Sequence, residues 1–154
     1  MPEELLSAAL EREHREIDRG IEAYVAGLDA GRPDPTPLRG SMTALRRHIY
    51  LEEEFLFPPL RQSGLMAPIF VMLREHGELW QTMDRIDAGL ETNDSVDELC
   101  QELLGQLDAH NSKEEPVIYP QADAGLSPHA TEQLLDFLEG AHTPDGWVCQ
   151  GARN

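Results

Sequence analysis

Apolar residues recur along this chain at helical spacing, and no segment alternates as a strand would. From about Glu3 to Ala30, Leu6, Leu10, Ile17, Ile21, Tyr24 and Leu28 fall near one stripe of a helix, which Gly31, Arg32 and Pro33 stop. Asp34 followed by Pro35 reads as an N-cap and a first helical position. The second helix runs through Met42, Leu45, Ile49 and Glu52 to Pro58-Pro59, and Gly64 marks the turn after it. A third helix runs from near Pro68 to about Leu90. Thr92-Asn93-Asp94-Ser95 is then a loop, with Ser95 and Glu98 as a candidate capping box. The fourth helix carries Val96, Leu99, Leu103, Leu107 and His110 and ends near Pro120, and Pro116 is expected to kink or loosen its last turns. Ser127-Pro128 opens a shorter helix that ends at Gly140, and the tail from His142 to Asn154 is expected to be loosely held.

Four long helices with short connections predict an all-α, up-down-up-down four-helix bundle over about residues 3–121. An extra helix at about 127–140 and a loose tail at 142–154 complete one domain spanning 1–154. The length of 154 residues permits one sizeable core.

The polar positions carry a second pattern. His14, His48, Glu52 and Glu53 recur as His76, His110, Glu114 and Glu115, each 62 positions later (76−14, 110−48, 114−52, 115−53). Pro58/Pro120, Arg12/Arg74, Glu13/Glu75, Leu28/Leu90 and Leu45/Leu107 keep the same offset. The bundle therefore reads as a duplicated helical hairpin. Residues four apart on a helix project together, so His48 pairs with Glu52 and His110 with Glu114. Duplicating a His and a His-x-x-x-Glu yields four imidazoles and two carboxylates, a ligand set for two metal ions about a pseudo-twofold axis. A lone His on an apolar face is usually a satisfied core histidine, and a lone His-x-x-x-Glu is usually a solvated pair. Neither accounts for polar residues being the best-repeated ones. Burying these groups with no cation among them would carry a heavy desolvation cost. Imidazole suits iron, zinc, copper and manganese; bridging carboxylates favour iron or manganese.

The order His14…His48-x-x-x-Glu52…His76…His110-x-x-x-Glu114, with FLFPPL and VIYPQA after the two motifs, resembles the hemerythrin-type HHE cation-binding domain over about Leu5 to Pro120. That resemblance implies a non-haem di-iron centre. Its two irons would be bridged by Glu52 and Glu114 beside an oxo or hydroxo group, with His14, His48, His76 and His110 as terminal ligands. Oxygen-carrying hemerythrins have a fifth His one turn after the third-helix ligand, where this chain has Trp80. The four-His, two-Glu set is more similar to the subfamily that includes di-iron proteins repairing nitrosative damage, so reversible oxygen carriage is not the expected function.

Glu53 and Glu115 sit about 100° round the helix from the ligands and are expected to support the site or face solvent rather than bind metal. Asp18 lies one turn after His14 and within reach of the site, although a solvated or salt-bridged carboxylate is the plainer reading. Tyr50 and Tyr119 neighbour the motifs and could serve as redox residues, although core packing is the plainer reading, and Trp80 is expected to wall the site. His129 and His142 fall outside the duplication and read as surface or capping residues. Cys149 sits in the tail, with nothing nearby that would activate a thiolate.

The net charge of −17 argues against nucleic acid and against anionic membrane surfaces as partners. Two cysteines make no disulfide framework. The charged opening residues and the lack of a long apolar run point to a cytoplasmic protein. If the resemblance holds, two His, two bridging oxygens and an oxo group leave a sixth position open on each iron. The expected function is a redox-active di-iron protein that binds or turns over O2, NO or H2O2, with the electron donor unspecified. The alternative is a non-catalytic sensor of iron or oxygen, or an iron store, working through metal-dependent folding of the bundle.

Overall fold

The computed structural model describes residues 5–140 and 142–153. Within them the chain forms helices and no strand: α1 (Leu6–Asp29), α2 (Thr36–Leu51), α3 (Phe57–Arg61), α4 (Met66–Glu91), α5 (Asp97–Val117), α6 (Tyr119–Gly125) and α7 (Pro128–Gly140). Glu3 and Glu4, where the first helix was expected to begin, lie outside the described residues, as does Asn154. No described helix is long and apolar enough to cross a membrane.

Long helices α1, α2, α4 and α5 form the bundle. α1 packs on α2 and α4 on α5, while α1–α5 and α2–α4 contacts close the ring. Buried apolar side chains fall into two groups stacked along it. One holds Ile17, Ile21, Met42, Leu45, Met83, Ile86, Leu103 and Leu107. The other holds Leu6, Leu10, Leu56, Phe57, Met72, Tyr119 and Leu134. On α1, α4 and α5 the metal-type residues lie between these groups, His14 between Leu10 and Ile17 and His76 between Leu73 and Leu79; along the second helix the groups meet at Ile49 and Leu51, between His48 and Glu52. The polar layer is thus closed off from water above and below.

Helix boundaries follow the local chemistry, with three departures. Asp34 Oδ1 accepts the Thr36 N–H at 3.0 Å at the entry to α2, which begins at Thr36, one residue later than expected, with Pro35 in the position before it. The proposed Ser95–Glu98 capping box does not form: α5 starts at Asp97 with Val96 before it and no side-chain cap. The second helix does not run unbroken to the prolines either. Glu52–Leu56 is a π-helical turn in which the Phe57 N–H bonds to the Glu52 carbonyl, five residues back. Pro58 and Pro59 follow and supply no N–H to the carbonyls of that turn. A wide turn of this kind commonly marks a functional position in a helix, and here it starts at Glu52. At the matching place in the second repeat, Pro116 is accommodated inside α5, which runs to Val117, and the break comes at Ile118.

The third departure is the tail, which is docked rather than loosely held. A 3-10 turn at Gln150–Ala152 packs on α4, and Cys149 is 0% exposed within the first core group. Trp147 packs edge-on against Trp80 and Tyr50, and its indole N–H donates to Glu54 at 3.0 Å. The close approach needs two glycines: a Cβ on Gly77 would lie 2.7 Å from the Gly151 backbone, and one on Gly151 would lie 2.6 Å from the Leu73 carbonyl oxygen.

Candidate metal centre

Four helices deliver the polar layer. α1 brings His14, α2 brings His48, α4 brings His76 and α5 brings His110 and Glu114, while Glu52 opens the π-helical turn. All six are buried, the two carboxylates at 0% exposure. Their ligand atoms fall into two groups, each within 4.8 Å internally: His14, His48, Glu52 and Glu114; and Glu52, His76, His110 and Glu114. Both groups include both carboxylates. His48 Nε2 lies 3.2 Å from Glu52 Oε2 and His76 Nε2 lies 3.1 Å from Glu52 Oε1. His14 Nε2 lies 3.3 Å from Glu114 Oε1 and His110 Nε2 lies 3.5 Å from Glu114 Oε2. Each carboxylate therefore offers one oxygen to each group.

Every imidazole turns Nε2 inward and gives Nδ1 to an outer carboxylate. His14 Nδ1 meets Glu115 at 2.8 Å, His48 Nδ1 meets Glu13 at 2.9 Å, His76 Nδ1 meets Glu53 at 2.8 Å and His110 Nδ1 meets Glu75 at 3.0 Å. Glu13 and Glu75 act within their own hairpins. Glu53 and Glu115 reach across to the other hairpin, so the outer ring ties the two repeats together. With Nδ1–H donated outward, each Nε2 faces the interior, where it would present its lone pair to a metal ion on losing any proton it carries.

Residues 5–122 match the hemerythrin HHE cation-binding domain. The chain belongs to this family. It is 28% identical over 137 residues to an uncharacterized protein of Mycobacterium bovis, covering 77% of this chain and 52% of that protein. It is 29% identical over 142 residues to the iron-sulfur cluster repair protein YtfE of Escherichia coli O157:H7, covering 81% of this chain and 59% of the relative. The chain thus spans little more than half the length of these relatives. No solved structure matches it significantly.

A hemerythrin-like metal-binding domain should favour positive charge in this layer, and it does. Burial alone would push carboxylates up and imidazoles down. Here the charges overcome burial: His110 and His14 hold Glu114 well below its ordinary range. Glu52 and Glu13 hold His48 well above its own, and Glu114 raises His110 to about 10. Glu75 drops to about 2 through its bond from His110 and the neighbouring Lys113. A second observation fits a cation. Glu52 Oε1, Glu114 Oε2 and His76 Nε2 are buried and close together, and apart from the 3.1 Å contact of His76 Nε2 with Glu52 Oε1 they meet no hydrogen-bonding partner. A buried polar atom without a partner costs about 1–3 kcal/mol; coordination to one cation would satisfy all three.

The remaining candidates separate. Glu53 and Glu115 stand behind His76 and His14 as described. Tyr119 stands inside the layer: its hydroxyl is 2.7 Å from Glu52 Oε2 and 2.8 Å from Glu114 Oε1. Burial, then the charges of Glu114 and Glu52, hold this phenol well above its ordinary range. Asp18 is half-buried with Oδ1 unpartnered, and burial pushes its carboxyl up. Tyr50 packs among Phe55, Phe137 and Trp147, in line with the packing reading rather than the redox one. Trp80 is buried against Trp147 with the Arg46 guanidinium over its ring. Glu13 and Glu75 carried no role in the sequence reading, although the signal was present: both precede a histidine at the common offset.

Proposed function

We propose that this domain holds two iron ions and uses them to bind or react with a small oxidant: O2, NO or H2O2. The observation that carries this reading is the pair of four-ligand groups sharing Glu52 and Glu114. His14 and His48 would hold one ion and His76 and His110 the other. Glu52 and Glu114 would bridge them beside an oxo or hydroxo group. Iron is favoured among the metals such ligands accept because bridging carboxylates suit hard ions, and because a relative is named for iron-sulfur cluster repair. Bound iron would supply a ferrous–ferric change and an exchangeable position for a small molecule.

The chain's own residues do the rest. The four outer carboxylates fix the imidazole tautomers and raise their basicity. The two apolar groups above and below exclude bulk water from the layer. Arg47 pairs with Glu13 at 3.1 Å and Lys113 pairs with Glu75, limiting the negative charge of the outer ring.

A sensor reading draws on the docked tail. Glu53 accepts from His76 with one oxygen and from the Gln150 backbone N–H with the other, at 2.8 Å each. A change at His76 would reach the tail through that one carboxylate. Rapid mixing of the reduced, iron-loaded protein with peroxide and with NO separates the readings. Many turnovers support a reactive centre, whereas a single stoichiometric event with a change in tail protection supports a sensor.

A further inference from the structure

The duplication pairs Tyr119 with Phe57 (119−57 = 62). Both rings stack on a histidine of the layer: Tyr119 on His14 at 5.4 Å and 29°, and Phe57 on His76 at 5.7 Å and 15°. The pair differs by one hydroxyl. That hydroxyl lies 2.9 Å from His14 Nε2, 3.0 Å from His48 Nε2, 2.7 Å from Glu52 Oε2 and 2.8 Å from Glu114 Oε1. It therefore touches all four donors of one metal-type group. The opposite group has a bare phenyl ring beside it, and there Glu52 Oε1, Glu114 Oε2 and His76 Nε2 meet no hydrogen-bonding partner apart from the 3.1 Å contact of His76 Nε2 with Glu52 Oε1.

We infer that Tyr119 is a ligand of the metal ion held in the His14–His48 half, and that the two metal positions are chemically unequal. This rests on the di-iron reading above. An ion in that half would occupy the space those four atoms enclose. The hydroxyl already lies among them, so an ion must either displace the ring or take its oxygen. Displacing the ring would disrupt packing: Tyr119 is 0% exposed and packed in the second core group. A ferric ion is hard and accepts phenolate oxygen, as it does the axial tyrosine of some haem proteins. On binding, the phenol O–H bond breaks, an iron–oxygen bond forms and the proton leaves to water; no electron moves. The half beside Phe57 gains no such ligand. An incoming small molecule would then bind at the His76–His110 ion, against the apolar Phe57 ring, and at one end of the pair rather than both.

The test uses the full chain loaded with iron, counting iron first. Tyr119→Phe makes this half match its repeat with little change of volume. In the diferric protein we expect a visible phenolate-to-iron absorption band and enhanced phenolate ring modes in resonance Raman. Both should vanish in Tyr119→Phe while two irons per chain remain. If that variant loses its iron, ring-deuterated tyrosine in the unmodified protein decides, because a shift of the enhanced modes identifies a tyrosine ligand. Of the three tyrosines, Tyr24 lies in the first core group and Tyr50 in the Phe55–Phe137–Trp147 cluster. Two irons without phenolate modes would overturn the inference and leave the di-iron reading standing, as would modes that persist in Tyr119→Phe. A chain that takes up no iron would overturn both.

Discussion

Glu115 offers the cleanest handle on the outer ring. It holds His14 Nδ1 at 2.8 Å, yet its side chain is 35% exposed, so removing it should disturb the fold little. Loss of one part-exposed hydrogen bond costs about 1 kcal/mol. Its effect on metal should be larger, because His14 would lose the partner that fixes its ring and tautomer. Removing such a support typically weakens metal binding by about 10- to 100-fold, equivalent to about 1.4–2.7 kcal/mol. With metal in excess, that loss subtracts directly from the stability the metal confers. At ~2–4 °C per kcal/mol for a chain of this size, the metal-induced rise in Tm should shrink by about 3–11 °C in Glu115→Ala. Glu115→Gln keeps a carbonyl acceptor for Nδ1–H and should fall between. The assay is thermal unfolding with and without iron, paired with a chelator titration of affinity. A Glu115→Ala protein whose affinity and metal-induced Tm rise both match the parent would refute the role given to the outer carboxylates.

Glu52→Ala and Glu114→Ala should each abolish the Tm rise on adding iron and reduce iron content to one or none, as metal analysis would show; either variant keeping two irons would remove the bridging role. Cys149 and Cys100 should resist alkylation in the native protein, because burial pushes them to about 12 and about 11. For Cys149 this lowers the thiolate fraction at neutral pH on the order of a thousandfold from an ordinary thiol. Gly77→Ala should undock the tail, since its methyl group would lie 2.7 Å from Gly151 backbone atoms. Cys149 should then label rapidly while Cys100 stays protected, although Gly→Ala in a helix normally stabilises by about 0.5–1 kcal/mol.

The 3.6-residue pattern made the four long helices legible, and the 62-residue repeat marked the six residues that the structure gathers into one layer. The same repeat held the outer ring, but the pairing inside it was hidden. Which carboxylate serves which imidazole depends on how neighbouring helices face each other, within a hairpin for Glu13 and Glu75 and between hairpins for Glu53 and Glu115, and spacing within one helix does not encode that. The π-helical turn was invisible for a related reason: one extra residue in a turn leaves the apolar stripe nearly unchanged, and Pro58-Pro59 reads as a stop rather than a bulge. The tail misled because its sequence lacks helical periodicity. It is held by a glycine–glycine approach, by a buried cysteine and by Glu53 and Glu54, none of which forms a local pattern. The Tyr119–Phe57 difference stands in the sequence at the repeat offset, yet its meaning required the hydroxyl's position among four ligand atoms.

The central claim is that Glu52 and Glu114 join two metal positions into one centre. Iron-edge X-ray absorption on the iron-loaded protein, with iron counted on the same sample, tests it most directly. The account predicts two irons per chain, a first shell of nitrogen and oxygen only, and a resolved iron–iron scattering vector that disappears in Glu52→Ala. One metal per chain, or two irons with no iron–iron vector, would contradict it.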